Sequence, residues 1–319
     1  MRVQTADVST ALTEPQRRQL RRLADVSVNR AIEPDIEFAW GTLGDGAVLP
    51  DELLSVAGLD LPIDADRRAR LSRLEVTAML EAGIRFEAAL NGILSLWIAR
   101  SRSLDDPRFE YMLHEVAEET RHQRAFLRLI SELDAPSANP LDHGLPARVR
   151  DRILRIAQRE RAFFAVMLLA GEEVPDYLQL LASEHVATDP LLRAINRYHR
   201  AEEARHLSFA RLVLRDAYPV ASRRERIRIQ RFAPIAITRL FESMVHPGVY
   251  RAIGLPGWKT WRAAHRSAPR RVMRYAATRP ILREVIDIGA IDSNSVPRAW
   301  RRLCGVDRLG QPIEDTVNR

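Results

Sequence analysis

Apolar residues recur every three or four positions along most of the 319-residue chain, with charged residues between them. This period is typical of amphipathic α-helices, and no alternation of apolar and polar residues is long enough to predict a sheet. Short segments that contain proline, glycine or aspartate interrupt the pattern and mark helix ends. The sequence therefore predicts four long helices, over residues 66–101, 105–133, 146–182 and 189–217.

Weaker helical patterns flank these four helices. A short helix is predicted near Pro15, and the proline- and glycine-rich residues 32–62 predict an arm that packs on the long helices. Further helices are expected over 222–246, 265–289 and 296–304, with a disordered tail after Gly310. We expect one all-α domain, residues 1–319, made of an N-terminal helix and arm (1–65), a four-helix core (66–217), and additional helices and a tail (218–319).

A Glu-x-x-His motif occurs twice, once in the second and once in the fourth long helix. Glu119 precedes His122 and Glu203 precedes His206 by the same three positions. Because residues i and i+3 share a helix face, each pair can bind one cation. Bundles that hold two iron or manganese ions use two such motifs and add one glutamate from each of two further helices. The two motifs therefore predict half of a two-metal site.

Two more glutamates precede the motifs at nearly equal distances. Glu87 lies 32 residues before Glu119, and Glu172 lies 31 residues before Glu203, which indicates an internal repeat of helix pairs. Both interrupt apolar helix faces, where a charge needs a partner. Glu173 adjoins Glu172 and is an alternative for the same position. We expect Glu87 and one of these two neighbours to complete the carboxylate ligands.

A third histidine lies on the same helix face as the second motif. His199 is four residues before Glu203 and seven before His206, so all three fall within about two helical turns. We expect His199 to bind one of the metals, and an ordinary polar role is the alternative. Mixed carboxylate and imidazole ligands favour iron or manganese over metals that prefer thiolates.

Four stretches of the chain resemble the di-iron N-oxygenase family, which includes p-aminobenzoate N-oxygenase and the arylamine oxygenase of chloramphenicol biosynthesis. These stretches are residues 85–91, 111–122, 171–173 and 199–206, and the similarity extends over residues 66–255. The third histidine is the most specific feature of the resemblance. The resemblance implies a ferritin-like four-helix bundle and seven metal ligands: Glu87, Glu119, His122, Glu172, His199, Glu203 and His206.

The resemblance also implies a reaction. It predicts two iron ions, with manganese as the alternative, O2 as co-substrate, and an external electron donor that is a protein or a small reductant. The expected reaction oxygenates a small amine, most of all an arylamine, to a hydroxylamine and then a nitro compound, although another apolar substrate would fit the same ligands. A ferritin-like protein that handles iron without amine oxygenase activity is one alternative, and a helical scaffold with a structural metal is another.

Further side chains near the ligands in sequence are candidates for the pocket and for holding the ligands in place. For most of the pocket candidates, ordinary packing in the core of the bundle is the preferred interpretation. The candidates for the pocket wall are Phe86, Phe126, Phe163, Phe164, Leu168 and Phe209, and those for orienting the ligands are Arg121, Arg205, Asp176 and Asp189.

Composition adds limits on partners and location. The net charge is +7, but the arginine clusters over 223–231 and 262–271 come without a nucleic-acid-binding motif, so we expect solvated faces and no nucleic-acid partner. The single cysteine, Cys304, fits a reducing compartment. No apolar run is long enough to span a membrane, and the first residues lack a secretory pattern. We therefore expect a cytoplasmic enzyme, which could form a homodimer.

Overall fold

The computed structural model describes residues 12–101 and 104–313, and this part of the chain is built from helices with one isolated β-bridge. The prediction of an all-α fold is confirmed for these residues. In chain order, the helices are α1 Glu14–Asn29, α2 Pro34–Glu37, α3 Ala65–Arg100, α4 Pro107–Leu133, α5 Gly144–Ala157, α6 Arg161–Glu184, α7 Pro190–Ala217, α8 Arg223–Arg231, α9 Ala233–Ser243, α10 Pro247–Ala252, α11 Gly257–Arg266, α12 Ala268–Asp287 and α13 Arg298–Cys304.

The four long helices α3, α4, α6 and α7 form the predicted ferritin-like bundle. α3 packs along α4, and α6 packs along α7, so the bundle consists of two helix pairs. Three of these helices begin at an aspartate whose side chain accepts a hydrogen bond from the first turn: Asp64, Asp106 and Asp189. Such caps satisfy backbone N–H groups that have no partner within the helix. Local sequence therefore fixes where α3, α4 and α7 begin.

The prediction of one continuous helix over 146–182 is wrong, because α5 and α6 are separate helices. No proline or glycine lies in the break between them. Instead, the buried carboxylate of Glu225 on α8 accepts hydrogen bonds from the backbone N–H groups of Ala162 (2.7 Å) and Phe163 (3.0 Å). A carboxylate at a helix N-terminus also complements the helix dipole. A residue distant in sequence thus supplies the cap at the start of α6.

Two further expectations for the C-terminal part are corrected by the structure. The helix predicted over 222–246 is divided into α8 and α9, because Pro234 in the first turn of α9 has no N–H to continue the hydrogen bonds of α8. Disorder after Gly310 is wrong as far as Ile313, whose backbone N–H donates to the carbonyl oxygen of Gly305 at 2.9 Å. Residues 314–319 lie outside the described residues.

The arm over 32–62 packs on the bundle, as predicted. Its apolar residues, which include Val48 and Leu54, join a buried cluster with Leu71 and Leu74 of α3. The arm also contacts the start of α7, where the N–H of Asp189 donates to the carbonyl oxygen of Val48 at 3.0 Å. No helix in the described ranges is both long and apolar enough to cross a membrane. The division of the chain into one domain with three parts stays a prediction.

Candidate metal centre

The seven predicted ligands converge in the middle of the bundle. All seven residues are buried, and at most 3% of the surface of each residue is exposed to solvent. Their helices are α3 for Glu87, α4 for Glu119 and His122, α6 for Glu172, and α7 for His199, Glu203 and His206. Each of the four long helices therefore contributes at least one of these side chains.

One cluster of potential ligand atoms joins three helices. Glu87, His122 and His199 each offer one atom, and these three atoms lie within 4.8 Å of one another. His199 Nε2 is 3.4 Å from Glu87 Oε1, and the rings of His122 and His199 have centroids 4.4 Å apart. This is the arrangement that a single cation bound by one carboxylate and two imidazoles requires.

Two carboxylates lie between this cluster and His206. Glu119 places Oε2 at 3.2 Å from His122 Nδ1 and Oε1 at 3.1 Å from His206 Nδ1. Glu203 places Oε1 at 3.4 Å from His122 Nδ1 and Oε2 at 3.1 Å from His206 Nδ1. The two oxygens of each carboxylate therefore face different histidines, as in a carboxylate that bridges two cations.

Glu172 and Glu173, the two alternatives left by the sequence, point in different directions. The carboxyl group of Glu172 contacts that of Glu203 and lies close enough to His206 to interact with its charge. Glu173 instead forms an ion pair with Arg211 on α7. The geometry therefore favours Glu172 over its neighbour as a member of the cluster.

The cluster contains buried oxygen atoms that lack hydrogen-bond donors among the described residues. One such oxygen belongs to each predicted glutamate ligand: Glu87 Oε2, Glu119 Oε1, Glu172 Oε1 and Glu203 Oε1. His206 Nδ1 lies 3.1 Å from Glu119 Oε1 but forms no hydrogen bond with it. Buried carboxylates without donors are unfavourable unless cations compensate them. Two divalent cations carry four positive charges, so the donor set fits two metal ions.

Burial, neighbouring charges and hydrogen bonds raise the pKa values of two carboxylates and one histidine of the cluster. Burial raises the pKa values of Glu87 and Glu172 well above their ordinary range, and neighbouring carboxylates add to the effect. Burial alone would lower the pKa of His122, but hydrogen bonds to Glu119 and Glu202 outweigh it and raise that pKa to about 10. The cluster thus strongly favours positive charge near Glu119, which a metal ion can supply in place of a proton.

His199 differs from the other two histidines because its environment keeps it neutral. Burial lowers its pKa to about 4, and the positive charge of His122 acts in the same direction. Its Nδ1 is 2.9 Å from Oε1 of Gln179 on α6, so the proton of the neutral ring lies on Nδ1. The lone pair on Nε2 then faces Glu87 and Glu203, where a cation would bind it.

The other two histidine rings are held by glutamates that come directly before the predicted bridging carboxylates. His122 Nε2 donates to Glu202 Oε2 at 2.9 Å, and His206 Nε2 donates to Glu118 Oε2 at 2.8 Å. Each hydrogen bond crosses from one Glu-x-x-His motif to the other. Both imidazoles are therefore oriented with Nδ1 towards the centre of the cluster.

The two arginines expected to orient the ligands act through these glutamates. Arg205 Nη2 donates to Glu118 Oε1 at 2.6 Å, and Arg121 Nη2 donates to Glu202 Oε1 at 3.3 Å. The two aspartates proposed for the same role do other things and donate or accept no hydrogen bond with a predicted ligand in the described ranges. Asp176 pairs with Arg200, and Asp189 caps α7.

Sequence reasoning missed Glu118, Glu202 and Gln179. The first two had a recognisable signal, since the full repeat is Glu-Glu-x-Arg-His in both motifs. Gln179 follows Glu172 by seven residues on the same face of α6 and had no signal of its own.

A mostly apolar cavity of about 100 Å³ borders the cluster. Glu87, Glu172 and His199 line it, together with two of the predicted pocket residues, Phe86 and Phe126. The other four lie in the hydrophobic core of the bundle, as ordinary helix packing predicts for most of the candidates: Phe163, Phe164, Leu168 and Phe209. The cavity thus adjoins one side of the predicted metal centre, and the rest of its wall is mostly apolar.

One residue of the cavity wall was assigned to a solvated face in the sequence. Arg270, from the arginine cluster over 262–271, is only 3% exposed and lines the cavity. The ring of Phe241 contacts its guanidinium group. The expectation of a solvated face is therefore wrong for Arg270.

Comparison with known proteins agrees with this fold and cluster. Residues 13–289 match the family described as "P-aminobenzoate N-oxygenase AurF". The uncharacterized proteins Mb0909 of Mycobacterium bovis and Rv0885 of Mycobacterium tuberculosis are each 28% identical to the chain over 189 residues. The match covers 57% of this chain and 53% of each mycobacterial protein, so the chain spans about half the length of these relatives.

The family match covers most of the chain and includes the whole of the bundle and every residue of the cluster. The resemblance identified from the four sequence stretches is thereby confirmed. The chain belongs to the p-aminobenzoate N-oxygenase AurF family.

Proposed function

We propose that the protein is a non-haem di-iron oxygenase that transfers oxygen to the nitrogen of a small amine. The observation that carries the proposal is the pair of carboxylates, Glu119 and Glu203, whose oxygens face histidines on both sides. A two-metal site needs groups of this kind to hold two cations at a short separation. Family membership supplies the reaction class.

The contacts support one assignment of the ligands to two metal positions. Glu87, His122 and His199 would hold one ion. Glu172 and His206 would hold the other, and Glu119 and Glu203 would contribute one oxygen to each. Oxygen and imidazole nitrogen donors suit iron and also manganese.

Two ferrous ions held there would supply the electrons that reduce O2 and make one oxygen atom available for transfer. The side chains of the chain itself control access and order. Glu118 and Glu202 hold the rings of His206 and His122 in fixed orientations. The apolar walls at Phe86 and Phe126 exclude water from the side of the cluster that the cavity reaches.

The cavity supports a small, mainly apolar substrate. An amine that enters it would lie beside Glu87, Glu172 and His199, which are the predicted ligands on its wall. A primary amine can donate hydrogen bonds to a carboxylate there, which would direct its nitrogen towards the ligands rather than towards the apolar wall. Electrons for further turnovers would come from an external donor.

A ferritin-like protein that only oxidises or stores iron is the second candidate from the sequence. Iron as cargo needs a polar route to the site, because a hydrated cation is not stable against apolar walls. The cavity beside the cluster is lined mainly by Met, Leu, Val and Phe side chains. This lining favours an organic substrate over iron as cargo.

The test begins with metal content and continues with oxygen reactivity. The purified full chain is loaded with ferrous iron without oxygen, the iron is counted, and O2 is then added with and without an arylamine such as p-aminobenzoate or an alkylamine. We expect about two iron ions per chain and oxygenated nitrogen products identified by mass spectrometry.

Two matched variants separate the site from the rest of the helix. Glu119→Ala should lose most of the bound iron, whereas Glu110→Ala, an exposed position on the same helix, should retain it. Fewer than one iron per wild-type chain would contradict the two-metal site. Iron that is oxidised with no dependence on any amine would instead support the iron-handling alternative.

A further inference from the structure

Arg270 is a buried arginine, and two nitrogen atoms of its guanidinium group have no hydrogen-bond partner among the described residues. It is 3% exposed, and its Nε and Nη2 atoms have no hydrogen-bond acceptor among the described residues. Among those residues, no carboxylate oxygen lies within 4.0 Å of a guanidinium nitrogen of Arg270, the distance that defines an ion pair. Buried guanidinium groups normally bind carboxylates through several N–H donors. Arg270 therefore has unused donors in a place where water does not readily reach them.

One face of this guanidinium is already occupied, and its edges are not. The Cζ atom of Arg270 lies 4.4 Å from the centre of the Phe241 ring, a cation–π contact. A guanidinium group is planar, and its N–H groups point outwards from its edges, so they can donate to both oxygens of a carboxylate. The contact with Phe241 leaves the Nε and Nη2 donors without acceptors among the described residues.

The carboxylate of Glu75 interacts with Arg270 through charge, but its hydrogen bonds are made with another residue. Its Oε2 accepts a hydrogen bond from the N–H of Ser55 at 2.8 Å, and its Oε1 accepts one from the hydroxyl group of the same serine. The Ser55 hydroxyl also contacts the hydroxyl group of Tyr250 at 2.8 Å. Arg270 therefore lies near the part of α3 that contains Glu75, and Glu75 accepts no hydrogen bond from the Nε or Nη2 atom of Arg270.

Arg270 and the predicted metal ligands border the same cavity at positions that are far apart along α3. Glu75, which interacts with Arg270, is twelve residues before Glu87, and both line the cavity. The helical rise puts about 18 Å between these two positions. A molecule that contacts both regions must be longer than a single aromatic ring.

The wall between these two regions is apolar and adaptable. α3 contributes Val76, Met79 and Leu80, and Met244 and Met273 face the cavity from the C-terminal helices. Methionine side chains are flexible and fit apolar ligands of irregular shape. The lining suits a hydrocarbon or extended aromatic body.

We propose that Arg270 binds the carboxylate of an elongated, mainly apolar substrate whose opposite end lies beside the predicted metal centre. A carboxylate fits better than a phosphate, because one guanidinium with Glu75 nearby offers too little positive charge for a dianion. The inference rests on the proposed function only for the group that is oxidised at the opposite end. The carboxylate site itself does not depend on metal.

The test is therefore a binding measurement on the full chain without added metal. Isothermal titration calorimetry compares ω-aminododecanoate with its primary amide, ω-aminododecanamide, and with the short carboxylate p-aminobenzoate. We expect the long carboxylate to bind at least tenfold more tightly than the amide. Arg270→Met should remove this preference, and Arg270→Lys, which keeps the charge but loses the planar fork, should retain part of it.

Arg274→Met is the matched control, since it removes the same charge from the same helix at a position outside the cavity wall. It should leave the preference unchanged. Arg270→Met should unfold at a temperature no lower than the wild type, because it removes a buried charge that has no ion-pair partner within 4.0 Å among the described residues. A fall in that temperature would identify Arg270 as a structural residue and overturn the proposal.

Equal binding of the carboxylate and the amide to the wild type would also overturn the proposal. An equal dependence of p-aminobenzoate binding on Arg270 would overturn the elongated substrate. A protein that fails to oxygenate amines but shows the expected binding would contradict the proposed function and leave the carboxylate site supported.

Discussion

Two residues outside the predicted ligand set determine which ring nitrogen of His206 and His122 faces the metal centre. Glu118 and Glu202 accept hydrogen bonds from the Nε2 atoms of His206 and His122, and Nδ1 of each ring then faces the bridging carboxylates. An imidazole whose second nitrogen donates to a carboxylate is a more basic and better oriented ligand. The affinity of the centre for metal should depend on these two glutamates.

Glu202→Gln should weaken metal binding by about 10- to 100-fold, because glutamine keeps the size of the side chain and removes the charge that orients His122. Glu118→Gln should have a similar effect through His206. Competition with a chelator of known affinity measures the change. Glu110→Gln, exposed on α4, is the control. Affinities equal to that of the wild type would show that the histidine rings need no such support.

The sequence predicted ligand residues well where their spacing is repeated. It predicted them poorly where the choice depended only on the direction in which a helical side chain points. Two Glu-x-x-His motifs and the two preceding glutamates were found because their spacing is repeated. Spacing could not distinguish Glu172 from Glu173, since adjacent helical residues differ by about 100° in direction. The structure separates them through the ion pair of Glu173 with Arg211. Arg270 could not be found at all, because its surroundings come from residues distant in sequence, Phe241 of α9 and Glu75 of α3.

Among the helices, the start of α6 depends on a residue from another part of the chain. The carboxylate of Glu225 accepts hydrogen bonds from two backbone N–H groups in the first turn of α6, at Ala162 and Phe163. Periodicity predicted the four long helices of the bundle, because each has a repeating apolar face. It did not predict the break before α6, since the cap lies more than 60 residues away in sequence.

Glu225→Ala should lower the free energy of unfolding by about 1–3 kcal/mol, because two buried N–H groups lose their acceptor. Urea unfolding monitored by circular dichroism measures the loss. Arg224→Ala, at the exposed neighbouring position, should change the free energy by less than about 0.5 kcal/mol. A loss no larger than that of the control would show that water or another group can replace the carboxylate.

Gly171 permits close packing of α3 against α6 beside the cavity. A Cβ atom at this position would lie 1.9 Å from Cζ of Phe86, so the ring would have to move. Gly171→Ala should lower the free energy of unfolding by about 1–3 kcal/mol through overpacking. Combining it with Phe86→Leu should recover much of the loss, because the two residues are in direct contact.

Gly92→Ala is a matched control for this prediction. Gly92 also lies within a long helix, but nothing is within 4 Å of the position that its Cβ would occupy. Alanine there should stabilise the protein by up to about 1 kcal/mol through its helix propensity. If both substitutions stabilise the protein equally, Phe86 moves aside without cost and the close contact at Gly171 has no energetic weight.

For the molecule as a whole, acid stability should depend on a histidine far from the predicted ligands in sequence. His265 is buried between Trp261 and Phe241, at ring-centroid distances of 4.8 and 6.2 Å. Burial lowers its pKa to about 3, and the charge of Arg270 adds to the effect. The unfolded chain, with an ordinary histidine pKa near 6.5, binds a proton in this range that the folded chain does not. Stability is therefore lost as the pH falls from about 6.5 towards 3.

His265→Gln should reduce this loss by about 2 kcal/mol between pH 7 and pH 5. Urea unfolding in the presence of a chelator at both pH values gives the difference without a contribution from bound metal. His143→Gln, an exposed position, should leave the pH dependence as in the wild type. A pH dependence unchanged by His265→Gln would mean that the imidazole can be protonated inside the folded protein.

The two bridging carboxylates make the two metal positions dependent on each other. Glu119 and Glu203 each direct one oxygen towards each of the two positions. The first cation to bind would therefore hold both side chains in the orientation that the second cation requires. Binding should then be cooperative, and a chain that holds one cation should be less abundant than the empty and the doubly loaded forms. A sample with an average of one iron per chain would consist mainly of empty chains and chains that hold two iron ions. Its activity would be proportional to the fraction of chains that hold two.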